Sequence, residues 1–334
     1  MKKTCNLKDV AKLANVSLGT ASKVTNGIYV RPELRMRVEE AVKELNYTPN
    51  VIARSLKMNS TSTIGIMIAD ISSPVISKVV KGIEDFNRQK DYNGIIYQTA
   101  LEIDGERRGI ETFVRNKVDG ILFIGNTVEP ETAGYLKESN VPVVFIMTGY
   151  EDEAFSSVTI DNVEAACVAV DYLCRSGHRE ILILAGRRED PNAGIPRLEG
   201  YKKALANHQI AVREELIVHG GYRLQRGYED MQRILAEKTA FTAVFAVSDE
   251  VAIGAKKALH EAGIRVPDDV SVIGFDGIEM VNYTEPPLAS ISQPFYELGQ
   301  RAAEILMERI KGEHGNVHAV LPFRLIENQS VKSR

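Results

Sequence analysis

From Thr63 onward, short apolar runs alternate with amphipathic stretches of helical period, and this alternation constrains the fold more than any other feature of the chain. Strand candidates fall at residues 64–69, 94–98, 120–124, 143–147 and 158–160, with a second series at 181–185, 216–218, 243–247 and 270–275. Amphipathic segments at 76–86, 165–174, 198–206, 231–235 and 252–262 lie between them. Apolar strands alternating with helices belong to parallel sheets covered on both faces. Two successive series predict two similar doubly wound lobes, each with its ligand crevice at the strand carboxyl ends. Residues 290–294 read as another crossing, 296–311 as a helix, 321–326 as a last strand and 328–334 as a polar tail. A chain of 334 residues is long enough for two or three domains.

The first sixty residues follow a different pattern. Leu7, Val10, Ala11 and Ala14 recur at helical spacing, and Asn15-Val16-Ser17 then breaks it. Ser17 stands as the N-cap of a second helix, where Ala21 and Val24 resume the apolar spacing before Asn26-Gly27 stops it. Two short helices joined by a tight turn, the second exposing Leu18, Gly19, Ser22 and Lys23, read as a helix-turn-helix. A helical hairpin that merely packs on another element is the commoner fate of such a pattern. A third helix follows the loop at 27–33, with Leu34, Val38, Ala41, Val42 and Leu45 on its apolar face. So small a core is marginal in stability. Residues 51–58 mix basic and apolar side chains in a segment shorter than the ~12–15 residues at which isolated helices become stable in water. Such a segment is expected to fold on binding rather than serve as a plain linker.

Charge separates the two regions. Residues 1–60 hold 11 Lys+Arg against 5 Asp+Glu, and the remainder 30 against 40. A basic head on an acidic body is the electrostatic footprint of a protein that meets a polyanion, here DNA. Cys5, Cys167 and Cys174 have no metal-ligand spacing and predict a reducing compartment without a disulfide framework. The chain opens on a charged amphipathic helix and has no apolar run of membrane-spanning length, so a cytoplasmic protein is expected. An enzyme finds little support: there is no Gly-x-Gly-x-x-Gly, no Gly-Lys phosphate loop and no Gly-x-Ser-x-Gly elbow. The six histidines are scattered, and His178 reads as a residue at a helix end. No catalytic residue, metal or cofactor is expected. A pure sugar-binding protein would not need the basic head.

Motifs spread in order along essentially the whole chain resemble the LacI/GalR family of bacterial transcription regulators. In the head they are Asp9-Val10-Ala11-Lys12-Leu13-Ala14, Val16-Ser17, Thr20-Ala21-Ser22-Lys23-Val24 and Pro49-Asn50-Val51-Ile52-Ala53-Arg54-Ser55-Leu56. In the body they include Gly177-His178-Arg179, Arg197-Leu198-Glu199-Gly200-Tyr201, Asp249-Glu250-Val251-Ala252, Val270-Ser271-Val272-Ile273-Gly274-Phe275-Asp276 and Pro286-Pro287-Leu288. The resemblance implies an all-α helix-turn-helix head at 1–48 and a hinge helix with linker at 49–61. It also implies an α/β core of two doubly wound lobes of the periplasmic-binding-protein-like type, 62–162 plus 293–321 and 163–292 plus 322–334. Crossings between lobes are implied near Asn162, Ser292 and Pro322. A homodimer then presents two heads to two half-sites of a near-palindromic operator. Helix 75–86 carries more apolar residues than one face needs and is expected at the dimer contact. The tail has no leucine heptads, so no tetramer of the family type is expected.

Carried onto this sequence, the resemblance places Leu18, Gly19, Thr20 and Lys23 at base edges in the major groove, and Ser17, Ser22, Asn26 and Tyr47 at backbone phosphates. Ala21 stands where the family usually has Val, and Lys23 where it has Arg; Lys lacks the planar fork that pairs bidentately with guanine. In the hinge, Leu56 matches a minor-groove wedge, Ala53 the small residue where paired hinge helices meet, and Lys57 reaches groove or phosphates. Arg197 and Asp276 match the family's effector-binding pair: a guanidinium donates to ring and hydroxyl oxygens, and a carboxylate accepts from hydroxyls. Tyr222, Asp70, Ser72, Asn192 and Ser248 are further crevice candidates, each open to an ordinary packing or capping role. Val75 and Ile76 stand where the purine-responsive member carries aromatic residues, so the expected effector is a sugar or sugar phosphate. The expected action is a population shift, in which ligand changes the angle between lobes and so the pairing of the hinges. Asp70-Ile71-Ser72-Ser73-Pro74 and Gly82-Ile83-Glu84-Asp85 resemble the catabolite-control branch. That branch implies a phosphorylated carrier protein as the alternative partner, whereas Arg197 argues for a small ligand.

Overall fold

A computed structural model of the protein describes residues 5–25, 27–47, 60–100, 102–125, 127–148, 150, 152, 154–313 and 315–334. The chain divides into two compact units at Thr61 and Ser62. In the smaller unit, Asn6 opens α1 (Leu7–Leu13) with a capping box, accepting from the amides of Lys8 and Asp9 while Asp9 accepts from the amide of Asn6. A turn through Asn15 leads into α2 (Leu18–Thr25), where the Thr20 amide donates to Ser17 Oγ at 3.1 Å, the cap read from the sequence. The third helix, α3 (Pro32–Glu44), begins on a proline, whose missing N–H is of no consequence at the first helical position. Val10, Ala14, Val24, Val38 and Ala41 form the small buried core, and Arg37 donates to the Asn15 carbonyl at 3.0 Å, holding α3 to the turn. Asn26, Ala53, Leu56 and Lys57 lie outside the described residues.

In the larger unit the apolar runs assemble, among the described residues, into two six-stranded sheets. The first contains β1 (Thr63–Ile68), β2 (Asn93–Gln98), β3 (Gly120–Ile124), β4 (Val143–Ile146), β5 (Ser156–Thr159) and β11 (His318–Val320), in the order β11-β5-β4-β3-β1-β2 and parallel throughout. The second contains β6 (Ile181–Ala185), β7 (Ile217–His219), β8 (Ala243–Ala246), β9 (Ser271–Asp276), β10 (Ala289–Ser292) and β12 (Arg324–Ile326). Its order is β12-β10-β9-β8-β6-β7, parallel except for β12 against β10. Helices α4 (Pro74–Gln89), α5 (Ile103–Arg115), α6 (Pro130–Glu138) and α11 (Phe295–Lys311) cover the first sheet. The second is covered by α7 (Asn162–Arg175), α8 (Gly194–Asn207), α9 (Leu224–Ala236) and α10 (Asp249–Glu261). The chain passes from sheet to sheet between Thr159 and Asn162, between Ser292 and Phe295, and between Val320 and Arg324. The run at 321–326, read as one strand, is therefore divided: Pro322 has no amide for a ladder, and the chain changes sheets there.

One further segment departs from its sequence reading, and α4 finds a neighbour within its own chain. Part of the apolar surface of residues 75–86 is covered because α11 packs on α4 backbone to backbone. A Cβ on Gly82 would lie 2.1 Å from the Tyr296 carbonyl, and one on Gly299 2.1 Å from the Val79 carbonyl. Ile76, Val79 and Ile83 are buried, with Val75, Val80 and Phe86 partly buried against the same core. The polar tail, for its part, is built into the second lobe. Ser330 is wholly buried, donates to the Val272 carbonyl at 2.6 Å and accepts the Ala289 amide at 2.7 Å. His178, just past α7, joins the Thr242 and Ser271 hydroxyls at 3.0 and 2.9 Å to the Lys332 carbonyl at 3.2 Å. Burial holds its imidazole below the usual range and so neutral.

Among the described residues no helix is long and apolar enough to cross a membrane. Gly299→Val would force α4 and α11 apart, and a loss of about 1–3 kcal/mol is expected for the larger unit in urea unfolding.

Candidate functional site

On α2, Ala21 and Val24 face the head's core, which turns Leu18, Gly19 and Lys23 outward. Leu18 and Ser22, and Gly19 and Lys23, stand one turn apart, so they form a single face. Ser17 caps the helix and shares a 2.9 Å hydrogen bond with the Thr20 hydroxyl. Tyr47 is half-buried against the core of the head.

In the larger unit a cleft of about 670 Å³ opens at the carboxyl ends of both sheets. From the first sheet come Ala69 and Asp70 after β1 and Gly125 and Thr127 after β3; from the second come Arg187, Glu189, Asp190, Asn192 and Ala193 after β6, Tyr222 and Arg223 after β7, Ser248 after β8 and Asp276 closing β9. Of the seven crevice candidates, Arg197, Asp276, Tyr222, Asp70, Asn192 and Ser248 line the cleft. Ser72 does not: its amide and hydroxyl both donate to Asp70 Oδ1, at 2.9 and 2.8 Å, and Ser73 takes the place on the wall.

Arg197 stands in the first turn of α8, where the residue is 6% exposed. Nε donates to Asn162 Oδ1 at 2.9 Å and Nη1 to the Val247 carbonyl at 2.6 Å, with Asp276 Oδ1 at 3.8 Å. The ring of Phe275 lies beneath it, 3.8 Å from the guanidinium carbon to the ring centre. Asp276 adopts φ 120°, a backbone state that L residues avoid. Gln293 holds it there twice, with its amide on the Asp276 carbonyl at 3.0 Å and its side chain on Oδ1 at 2.8 Å.

Behind this pair lies Asp249, wholly buried, accepting from the Ser290 hydroxyl at 2.5 Å and the Ile278 amide at 2.8 Å. Burial pushes the Asp276 carboxyl up to about 7 in spite of Arg197. Burial and the neighbouring charge of Asp276 hold Asp249 well above the ordinary carboxylate range as well.

Other side chains are occupied. Ser248 is the N-cap of α10, accepting the Val251 amide at 3.2 Å and donating to the Tyr222 carbonyl at 2.8 Å. The Tyr222 hydroxyl donates to Asp190, and burial raises its pKa. Asp190, not singled out in the sequence, accepts the amides of Asn192, Ala193 and Gly194 at 2.9, 3.3 and 3.2 Å and so closes the start of α8. Asn162 and Gln293 were read only as crossing points, and Arg223 went unread; it pairs with Asp70 of the opposite lobe and with Glu250 at 3.4 Å. Among the described residues no group of three or more His, Cys, Asp or Glu could hold a metal ion.

Residues 6–50 match the bacterial regulatory proteins of the lacI family, and residues 170–331 match the periplasmic binding protein-like domain. The HTH-type transcriptional regulator RegA of Clostridium acetobutylicum is 40% identical over 332 residues, 98% of this chain and 99% of that protein. The chain belongs to the lacI family. Among solved structures this lacI-family chain is similar to a complex of the transcriptional regulator CelR with cellobiose, at 31% identity over 98% of this chain and 99% of that one, TM-score 0.76. It is also similar to the Lac repressor dimer bound to operator and the anti-inducer ONPF, at 27% identity over 99% and 100%, TM-score 0.90. The protein is a transcriptional regulator, not an enzyme, and its two sheets are the lobes of a periplasmic-binding-protein-like core.

A carboxyl whose folded pKa lies above its unfolded value, ~3.9, favours the folded state below that value, and the preference is lost as pH rises through the folded pKa. The larger unit is therefore expected to lose stability between about pH 4 and 7 on account of Asp276, by at most about 1.4 kcal/mol per pH unit. Urea unfolding at several pH values should show that slope, and Asp276→Asn should reduce it, leaving the part due to Asp249.

Proposed function

We propose that this regulator is a repressor that binds a near-palindromic operator as a homodimer and responds to a sugar or sugar phosphate held between its lobes. The observation that carries the reading is the Arg197–Asp276 pair, buried at the base of a cleft whose walls come from both sheets. CelR, solved with cellobiose, and the Lac repressor, solved on its operator, support it. The division that goes with it is a head at 1–48, a hinge at 49–61, and lobes of 62–162 with 293–321 and 163–292 with 322–334. The α2 face of Leu18, Gly19, Thr20 and Lys23 meets base edges, and Ser17, Ser22, Asn26 and Tyr47 meet phosphates. Leu56 is the minor-groove wedge, with Ala53 and Lys57 beside it. Exposed Ile96 on the edge strand β2, and exposed Met280 and Tyr283 in the second lobe, offer apolar surface to a second copy. The action takes place in the cytoplasm.

Ligand acts by shifting a population of lobe angles. Asp70 follows β1 and Arg223 precedes α9, so their ion pair spans the cleft, and Glu250 supports it. Its side chains are 39% and 44% exposed, and exposed pairs contribute only ~0–1 kcal/mol. A link this weak biases the lobes without locking them, which leaves an effector's differential affinity in control. A phosphorylated carrier protein is the alternative partner, although two of the residues that suggested it are engaged within the chain, Asp85 by Lys81 and Tyr296, and Asp70 by Arg223.

Arg197→Ala and Asp276→Ala are each expected to keep operator affinity within about threefold and to lose the ligand response, read by fluorescence anisotropy on an operator selected from random DNA; a retained response in either would move the effector site elsewhere. Lys23→Ala should relax preference at one base pair in each half-site, a change of about 1–3 kcal/mol at that position. A uniform loss over all sequences would instead make Lys23 a phosphate contact.

A further inference from the structure

Resting on the reading of the cleft as the effector site, we propose that its ligand is a polyhydroxylated molecule without negative charge, neutral or ammonium-bearing, and that phosphorylated sugars are rejected. The first ground is the charge of the wall. Among the described residues lining the cleft, the first lobe contributes Asp70, Glu106 and Glu129, and the second contributes Glu189, Asp190, Glu250 and Asp276. Against these seven carboxyl groups stand three guanidiniums, of Arg187, Arg197 and Arg223. Arg197 faces Asp276, and Arg223 is held between Asp70 and Glu250. Only Arg187, exposed at the rim, is left to answer an anion among those three. A phosphate monoester carries about −1.5 to −2 charges at neutral pH and would enter a cleft already negative.

The second ground is independent of that count. In open α/β sheets an anion is normally held by the free amides and positive dipole at a helix N-terminus. Here several of the helices that begin at the cleft bring carboxylates of their own, whereas α4 and α9 carry no acidic residue in the first turn. Asp190 takes three amides at the start of α8. Glu250 stands in the first turn of α10, whose Val251 amide is taken by Ser248. Asp161 takes the Glu164 amide of α7 at 2.9 Å, Asp104 and Glu106 stand in the first turn of α5, and Glu129 precedes α6. At α7, α8 and α10 amides that could hold a phosphate are met by side chains of the chain itself, and at α5 and α6 acidic residues offset the dipole that would attract it. What the wall offers instead suits hydroxyls: the amides of Asn162, Asn192 and Gln293, the hydroxyls of Thr127 and Thr159, and the Arg197–Asp276 pair.

The test is isothermal titration of the full-length protein with matched sets. These are glucose, glucosamine and glucose 6-phosphate, the same three in the galacto and manno series, and trehalose beside trehalose 6-phosphate. In any set that binds, the phosphate ester is expected to bind at least tenfold more weakly than its neutral parent. The amine should bind as tightly as the parent or up to tenfold tighter, with the spread widening at low salt. A phosphate ester that matches or exceeds its parent would overturn the proposal while leaving the cleft an effector site. Absence of binding throughout, with operator binding intact, would remove the sugar reading itself and this inference with it. Glu129 and Glu189 are exposed, so the double variant Glu129→Gln/Glu189→Gln should fold. It is expected to narrow the gap between phosphate and parent several-fold, and an unchanged gap would show that the wall's charge does not set the preference.

Discussion

A buried guanidinium is tolerable only when its donors are met, and the second lobe's half of the cleft is arranged around meeting those of Arg197. Asn162 comes from the start of α7, the Val247 carbonyl from the end of β8, Asp276 and Phe275 from the end of β9. Three elements are thereby set in register by one side chain. The strained backbone of Asp276 belongs to the same arrangement, since Gln293 pins it from a crossing segment and orients its carboxyl toward Arg197. A ligand meeting this base finds its partners already placed, so little ordering entropy is lost on binding.

The rim is built on the opposite terms. Its ion pair between Asp70 and Arg223 is solvated and contributes little, whereas the Arg197 cluster is dry. The contrast separates two tasks within one cleft: recognition falls to the rigid base, and responsiveness to the weak contact across the gap. The acidic helix starts unite them, since they stabilise their own helices and at the same time decide what charge the cleft will accept.

Much of this was legible in the sequence, for local reasons. Ser17 could be read as a cap because caps depend on neighbours in sequence, and the parallel strands could be read because burial on both faces leaves unbroken apolar runs. Arg197 and Asp276 were visible through family resemblance. Loop residues were harder, since a loop has no period to say which side faces the cleft: Ser72 turned to Asp70 and Ser73 took the wall. Asp190 looks in sequence like any turn aspartate, and acidic residues at helix starts are ordinary. Their joint meaning appears only when several helices start along the same cleft. His178 read as a helix end, because its partners Thr242, Ser271 and Lys332 lie 64, 93 and 154 residues away.

The three passages between sheets have a consequence for how the protein comes into being. Neither lobe is a continuous stretch of chain: the first sheet lacks its edge until β11 at residue 320, and the second until β12 at residue 326. Domains made from one contiguous segment can finish folding while the ribosome is still at work on the next. Here both must wait for residues 320 and 326, with the cover of α4 arriving more than two hundred residues after α4 itself. Until then apolar strand surface stands exposed. High contact order of this kind slows folding, so the nascent core cannot bury what it has made until those late strands have emerged.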